Sequence, residues 1–179
     1  MKRSIALLRA VNVGGKNKLA MAALREGFEA LGFRDVKTVL NSGNVVFSAD
    51  EDDPLALAGR IREMLRGRFG MDVPVFVIAQ ERLAELLRHA PDWWGTEDKA
   101  IYDDLIFILP PATVSDVYAG LGEPKAGLER TEDHDGAIFW SFSRKDYQKT
   151  NWWPKTAGAP IGESLTIRTA NTVRKLVGI

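Results

Sequence analysis

Apolar and polar positions recur along this chain with two periods, and the changes between them mark the elements. Residues 4–11 form a short apolar run that reads as a buried strand. After a segment of glycine, asparagine and lysine, Met21, Leu24, Phe28 and Leu31 recur at helical spacing, and Gly32 suits a helix end. Residues 36–49 then read as two strands joined near Asn41-Ser42-Gly43-Asn44, where Gly43 can take a positive φ and the polar side chains can hold free backbone groups. An acidic turn at 50–54 leads into a helix whose stripe is Leu57, Ile61, Leu65 and Phe69, and residues 75–79 form the next strand. The order is β-α-β-β-α-β, the ferredoxin-like arrangement of two helices on one face of an antiparallel sheet.

A helix over 81–90, carrying Leu83, Leu86 and Leu87 on one face and stopped by Pro91, connects to the second half. A strand over 104–109 follows. Thr113 then stands where a cap belongs, before a helix with Val114, Val117, Tyr118 and Leu121 on one face. Residues 127–134 and 137–143 pair as a hairpin around His134-Asp135-Gly136. The segment rich in Lys, Trp and Pro holds a short helix, residues 164–169 a last strand and residues 171–177 a last helix. The second half thus repeats the element order of the first without visible repetition of residues. The expected architecture is α+β with two tandem ferredoxin-like lobes, 1–79 and 80–179, and the main alternative is one larger mixed sheet.

Composition changes this picture little. A chain of 179 residues with 45% apolar and 27% charged residues can bury one sizeable core or two smaller ones. Lys plus Arg equals Asp plus Glu at 24 each, so no net charge draws the chain toward nucleic acid. The absence of cysteine excludes disulfides, thiolate nucleophiles and cysteine-held metals. The apolar run after the first residues is too short for a signal peptide core, and no window approaches the ~20 apolar residues of a membrane helix. The expected location is therefore cytoplasmic.

Candidate chemistry concentrates at strand ends. The segment Asn12-Val13-Gly14-Gly15-Lys16 leads toward a helix, and amides at a helix start, with Lys16 or Lys18 beside them, can hold an anion. It lacks the spacing of a phosphate-binding P-loop, and glycines in such a connection also serve as plain turn residues. Arg9 and Arg168 each stand late in a strand. Together their two guanidinium forks can bracket a carboxylate or phosphate in a polar cleft between strands, or each pairs with a nearby acid at the sheet edge. Asn41, Ser42 and Asn44 can orient a ligand or satisfy their own turn.

A second reading uses Lys145, Lys149 and Lys155, which alternate with Tyr147, Trp152 and Trp153 as in surfaces that stack bases and hold phosphates. The same tryptophans fit an apolar anchor. His89 and His134 lie in unrelated contexts without a second metal ligand at diagnostic spacing. The acidic runs at 51–53 and 103–104 read as turn residues, and Asp133-His134-Asp135 as a hairpin corner. No metal or cofactor is expected, and no nucleophile or general base stands out, which leaves open whether the chain is an enzyme.

The stretch ALLRAVNVGGKNKLAMAALREGFEALGF, followed by VKTVLNSGNVVF and later LTIRTANTVRKL, resembles the DUF1697 family of bacterial proteins. Arg9, Asn12, Gly14 and Gly15 match that family's L-R-G-I-N-V-G-G run, with Ala10 where it usually has glycine. Ser42, Gly43 and Asn44 match its Q-S-G-N-V-V-F, with Asn41 in place of glutamine. Thr166, Arg168, Asn171 and Thr172 match its T-x-R-N-W-N-T, while Thr169 and Ala170 replace asparagine and tryptophan. The resemblance implies a two-lobed α+β fold and points to strand-end polar residues, without implying an activity, substrate or cofactor.

The expected function is binding of a small anionic or nucleotide-like ligand. Arg9 and Arg168 supply charge, Asn12, Ser42 and Asn44 orient it, and Lys16 with the Gly14-Gly15 amides contacts a phosphate. Asn171 and Thr172 complete the set. The alternatives are single-stranded nucleic-acid binding through the Lys/Trp segment, or a protein-interaction module with no small ligand.

Overall fold

The computed structural model describes residues 1–179, and it is α+β, with eight strands in two four-stranded antiparallel sheets and six α-helices. The chain divides into two compact units, residues 1–85 with 174–179, and residues 86–173. No helix is long and apolar enough to cross a membrane.

The first unit holds β1 (Lys2–Leu8), α1 (Met21–Ala30), β2 (Arg34–Val39), β3 (Asn44–Ala49), α2 (Pro54–Phe69) and β4 (Val75–Ala79), with strand order β2-β3-β1-β4. β1 is central, paired with β3 (Ile5 opposite Val46) and β4 (Ile5 opposite Ile78). Ala6, Leu8, Val45 and Phe47 point to the face covered by Leu24 and Phe28 of α1 and by Leu57, Ile61 and Leu65 of α2. Ile5, Leu7 and Val46 on the opposite face are buried as well, which is why β1 reads as continuous apolar sequence and not as an alternation. Phe28, Phe33 and Phe47 pack together with ring centroids 4.6 to 5.9 Å apart, each such pair adding ~1 kcal/mol to its area burial.

Local signals place the helix ends. Asp53 accepts a hydrogen bond from the Leu55 amide and Pro54 occupies the first helical position, so α2 starts where the acidic turn ends. Gly70, at φ 65°, closes it in the left-handed conformation. Close by, Asp72 receives the Arg62 Nε at 2.6 Å and Arg66, which hold its carboxyl well below the usual range. The helix α3 (Gln80–Arg88) carries the chain out of this unit; Gln80 Nε2 donates to the carbonyls of Leu176 and Ile179 at 2.8 and 2.9 Å, capping the end of α6 (Ala170–Val177).

The second unit holds β5 (Ile101–Ile108), α4 (Val114–Leu121), β6 (Glu129–His134), β7 (Ala137–Ser143), α5 (Trp152–Gly158) and β8 (Leu165–Thr169), in the order β6-β7-β5-β8. Its core joins Ile106, Ile108, Ile138, Trp140 and Phe142 of the sheet to Val117, Leu121 and Trp152. Thr113 and Asp116 form a reciprocal capping box at the start of α4. Asp135 and Gly136, at φ 46° and 80°, make the two-residue turn that sets the β6–β7 register.

β5 starts three residues earlier than the apolar pattern suggests. Asp103 and Asp104 lie within its ladder, opposite Ser141 and Trp140. Two neighbouring acids read as turn residues because a charged carboxylate is costly to bury. Here Ser141 Oγ donates to Asp103, and burial, with the Asp103 charge beside it, pushes Asp104 up to about 7.

Candidate functional site

The end of the first sheet where β1 stops and β3 and β4 begin gathers most of the residues singled out in the sequence. Strand pairing persists one step past β1, because the Arg9 amide donates to Pro74 O at 3.0 Å. The chain then turns back on itself. Gly14 and Gly15 have φ of 60° and 75° and form the tip of a tight hairpin, in which Lys16 N donates to Val13 O and Asn12 N to Asn17 O. Two consecutive positive φ values are what a type I′ turn demands, and glycine supplies them without steric cost. These glycines are therefore a hairpin tip and not a helix start, since α1 begins only at Met21. A Cβ at either glycine would meet open space, and Lys16 and Lys18 are exposed beside them.

Asn12 fastens this hairpin from below. Its Nδ2 donates to Leu19 O at 2.9 Å and to Asn41 O at 2.8 Å, and its Oδ1 accepts from the Leu19 amide at 2.8 Å. One side chain thus closes the 12–19 loop and ties it to the β2–β3 turn. In that turn Gly43, at φ 80°, lies against β1: its carbonyl accepts from Leu8 N at 2.8 Å, and an added Cβ would stand 2.8 Å from Leu8 Cβ. Asn44 is fully buried, with Nδ2 donating to Val39 O at 3.0 Å and Ser42 Oγ at 3.1 Å. Asn12 and Asn44 therefore position the loops, while Arg9 and Ser42, both half-buried, and exposed Lys16 remain at the surface of the cluster.

Arg168 belongs to the second unit, on β8 opposite Leu105. Its Nη1 donates to Thr166 Oγ1 and Ile167 O, both at 3.0 Å, and burial pulls its pKa down to about 10. Thr169 Oγ1 accepts from the Thr172 amide and contacts the Thr172 hydroxyl at 3.1 Å, capping the start of α6. Thr172 is buried and Asn171 exposed. Ala170, where the family pattern has tryptophan, is 6% exposed.

The Lys/Trp segment is largely structural. Trp152 is fully buried, and its Nε1 donates to Gly122 O at 2.8 Å, which leaves no ring face for a base. Lys155 Nζ donates to Leu121 O at 3.1 Å at the end of α4, and Lys149 pairs with Asp146 at 3.0 Å. Lys145 is exposed; Trp153, 40% exposed, lies edge-on to Tyr147.

The residue that organises this region, Glu129, was not among the sequence candidates. The residue is 5% exposed, and its carboxylate accepts from Trp140 Nε1 (3.2 Å), Lys125 N (3.0 Å), Trp152 N (3.3 Å) and Asn151 N. It thereby anchors the start of α5 and the turn before β6. The two-residue β6–β7 turn puts Glu129 opposite Phe142, on the face of Thr131 and Trp140. A carboxylate on that apolar face was the available signal.

The chain is 28% identical to the conserved bacterial protein SP0830 from Streptococcus pneumoniae, whose structure superposes with a TM-score of 0.85 over 99% of this chain and 97% of that one. No protein of curated function matches the chain in sequence. Residues 1–139 match the family described as "Protein of unknown function (DUF1697)", a range that includes the whole strand-end cluster of the first unit and stops before the Thr166–Thr172 motif. The match covers well over half of the 179 residues, and the chain belongs to the DUF1697 family.

Proposed function

We propose that the protein binds a small anionic ligand at the strand-end loops of its first unit, with Arg9, Lys16, Ser42 and the amides of Gly14 and Gly15 as direct contacts. The observation that carries this reading is the Asn12 clamp. Two hydrogen bonds between its side-chain amide and Leu19 close the glycine hairpin, and a third, to Asn41 O, ties it to the β2–β3 turn, so cationic, hydroxyl and amide donors share one end of a sheet. A turn needing only closure would not require Arg9 and Lys16 on the same segment. Donors held in place before binding lose little entropy when an anion arrives, and Arg9 adds charge-assisted bonds. Arg168, with Asn171 and Thr172, is a separate candidate contact in the second unit. Each unit is read as a ferredoxin-like lobe, supported by the repeated element order and by the matching strand orders β2-β3-β1-β4 and β6-β7-β5-β8.

Native mass spectrometry of gently purified protein, followed by calorimetric titration with phosphate, pyrophosphate and nucleoside mono- and triphosphates, tests the reading. At least one anion is expected to bind, with affinity reduced about tenfold or more in the R9A/K16A variant, whose fold is checked by far-ultraviolet circular dichroism. Equal binding by R9A/K16A and the parent would remove these loops from the site.

A further inference from the structure

We propose that the second unit carries a separate site for a small zwitterion, an amino acid or a short peptide end, in a groove on the sheet face opposite α4 and α5. The groove has a volume of about 430 Å³, within the ~300–1,000 Å³ usual for small-molecule sites. Its floor follows from register. Ile101 faces Ser143, and the Ser143 amide donates to Leu128 O, which makes one row across β5, β7 and the residue that leads into β6. Asp103, Ser141 and Arg130 make the next, two residues along on the same face. Trp93 forms a wall beside these rows. The Glu129 carboxylate is turned away, toward Trp140 and Trp152.

The charges define the ligand. Arg130, on edge strand β6, and Asp98, just before β5, line the groove from opposite sides and are both exposed. With strands ~4.8 Å apart, the β6 and β5 sides are separated by ~10 Å, and no ion pair joins the two residues. Asp98 Oδ1 accepts the Ala100 amide at 2.9 Å, which fixes the carboxylate in place. A guanidinium fork on one side suits a ligand carboxylate, and a held carboxylate on the other suits an ammonium. Between them Ser141 is 5% exposed, with its proton directed to Asp103, so it offers a ligand an acceptor. Ile101, Leu128 and Trp93 supply the apolar surface that a ligand side chain covers. A dianion such as a phosphate would meet Asp98 as a repulsive neighbour, which separates this groove from the loops of the first unit.

The test is a titration followed by ¹H–¹⁵N correlation spectra, using each of the common amino acids and glycyl dipeptides in turn, up to about 10 mM. At least one is expected to give saturable shifts at Gly127, Ser141, Ser143 and the Trp93 indole. Its N-acetyl and carboxamide forms, each lacking one charge, are expected to bind about tenfold more weakly, as is the parent ligand to R130A and to D98N. These exposed substitutions leave the spectrum outside the groove unchanged, so loss of fold is visible directly. No saturable shift with any probe, or binding indifferent to both blocking groups and both substitutions, overturns the proposal.

Discussion

Replacing Asp104 by asparagine should make the second unit less sensitive to a rise in pH from about 4 to about 7. Its carboxyl lies inside β5, between Trp140 of β7 and Thr169 of β8. Burial first, and the Asp103 charge second, raise it from 3.8 to about 7. In the unfolded chain the same group ionises near its ordinary value. The folded state therefore holds a proton that the unfolded state releases, and stability falls as pH rises between the two values. This contribution is fully present below about pH 4 and lost once pH passes about 7. A difference of nearly one proton over two pH units, at about 1.4 kcal/mol per unit, corresponds to a loss of about 2 kcal/mol between pH 5 and pH 7. D104N keeps the shape, removes the titration and should lack that component. All five tryptophans lie between residues 93 and 153, so tryptophan fluorescence in urea follows the second unit selectively. The quantity to compare is the change in unfolding free energy from pH 5 to pH 7 in D104N minus that in the parent. It cancels other titrating groups and any offset caused by the amide. A value near +2 kcal/mol supports the reasoning; parallel pH profiles, within about 0.5 kcal/mol, would show that the half-buried Asp104 does not hold a proton in the folded state.

Three further substitutions test the local geometry. Ala10 sits at φ 58° on the strand-end loop, and A10G should raise stability by about 0.5–1 kcal/mol, the relief of left-handed strain less the added freedom of the unfolded chain; a lower melting midpoint by far-ultraviolet circular dichroism would count against the strain. G43A combines φ 80° with a Cβ 2.8 Å from Leu8 Cβ and 3.3 Å from Val11 Cβ, so a loss of about 2–3 kcal/mol in urea unfolding is expected, and a neutral result would mean the turn is not seated against β1. E129Q places an amide donor against the amide donors of Lys125 and Asn151, and a cost of about 3 kcal/mol or more should appear as an earlier tryptophan-fluorescence transition, whereas a Gln variant as stable as the parent would remove Glu129 from its organising role.

Much of the fold was legible because its signals are local. The Met21, Leu24 and Phe28 stripe, the helix that follows the acidic turn, the Thr113 cap and the Asp135-Gly136 turn each act within a few residues and are found as read, although the helix takes in Pro54, the last residue read as turn. The strand-end motifs could be picked out for the same reason, since asparagine, serine and glycine between apolar runs announce a turn. Their division of labour could not. Nothing at residue 12 indicates that Asn12 grips Leu19 and Asn41 while Arg9 and Lys16 stay at the surface of the cluster, because those partners meet only when three strand ends assemble.

The same limit applies to the second half. Asp103 and Asp104 look like a turn from their chemistry, yet β7 supplies Ser141 to one and the packed sheet desolvates the other. Trp152 and Trp153 are neighbours with identical side chains, but Trp152 is fully buried and Trp153 40% exposed. Glu129 draws its four donors from residues 125, 140, 151 and 152. Period and propensity follow from neighbours in the chain, so they fix which elements form. Burial, protonation and donor geometry depend on neighbours brought from elsewhere in the chain, and they assign each polar side chain its role.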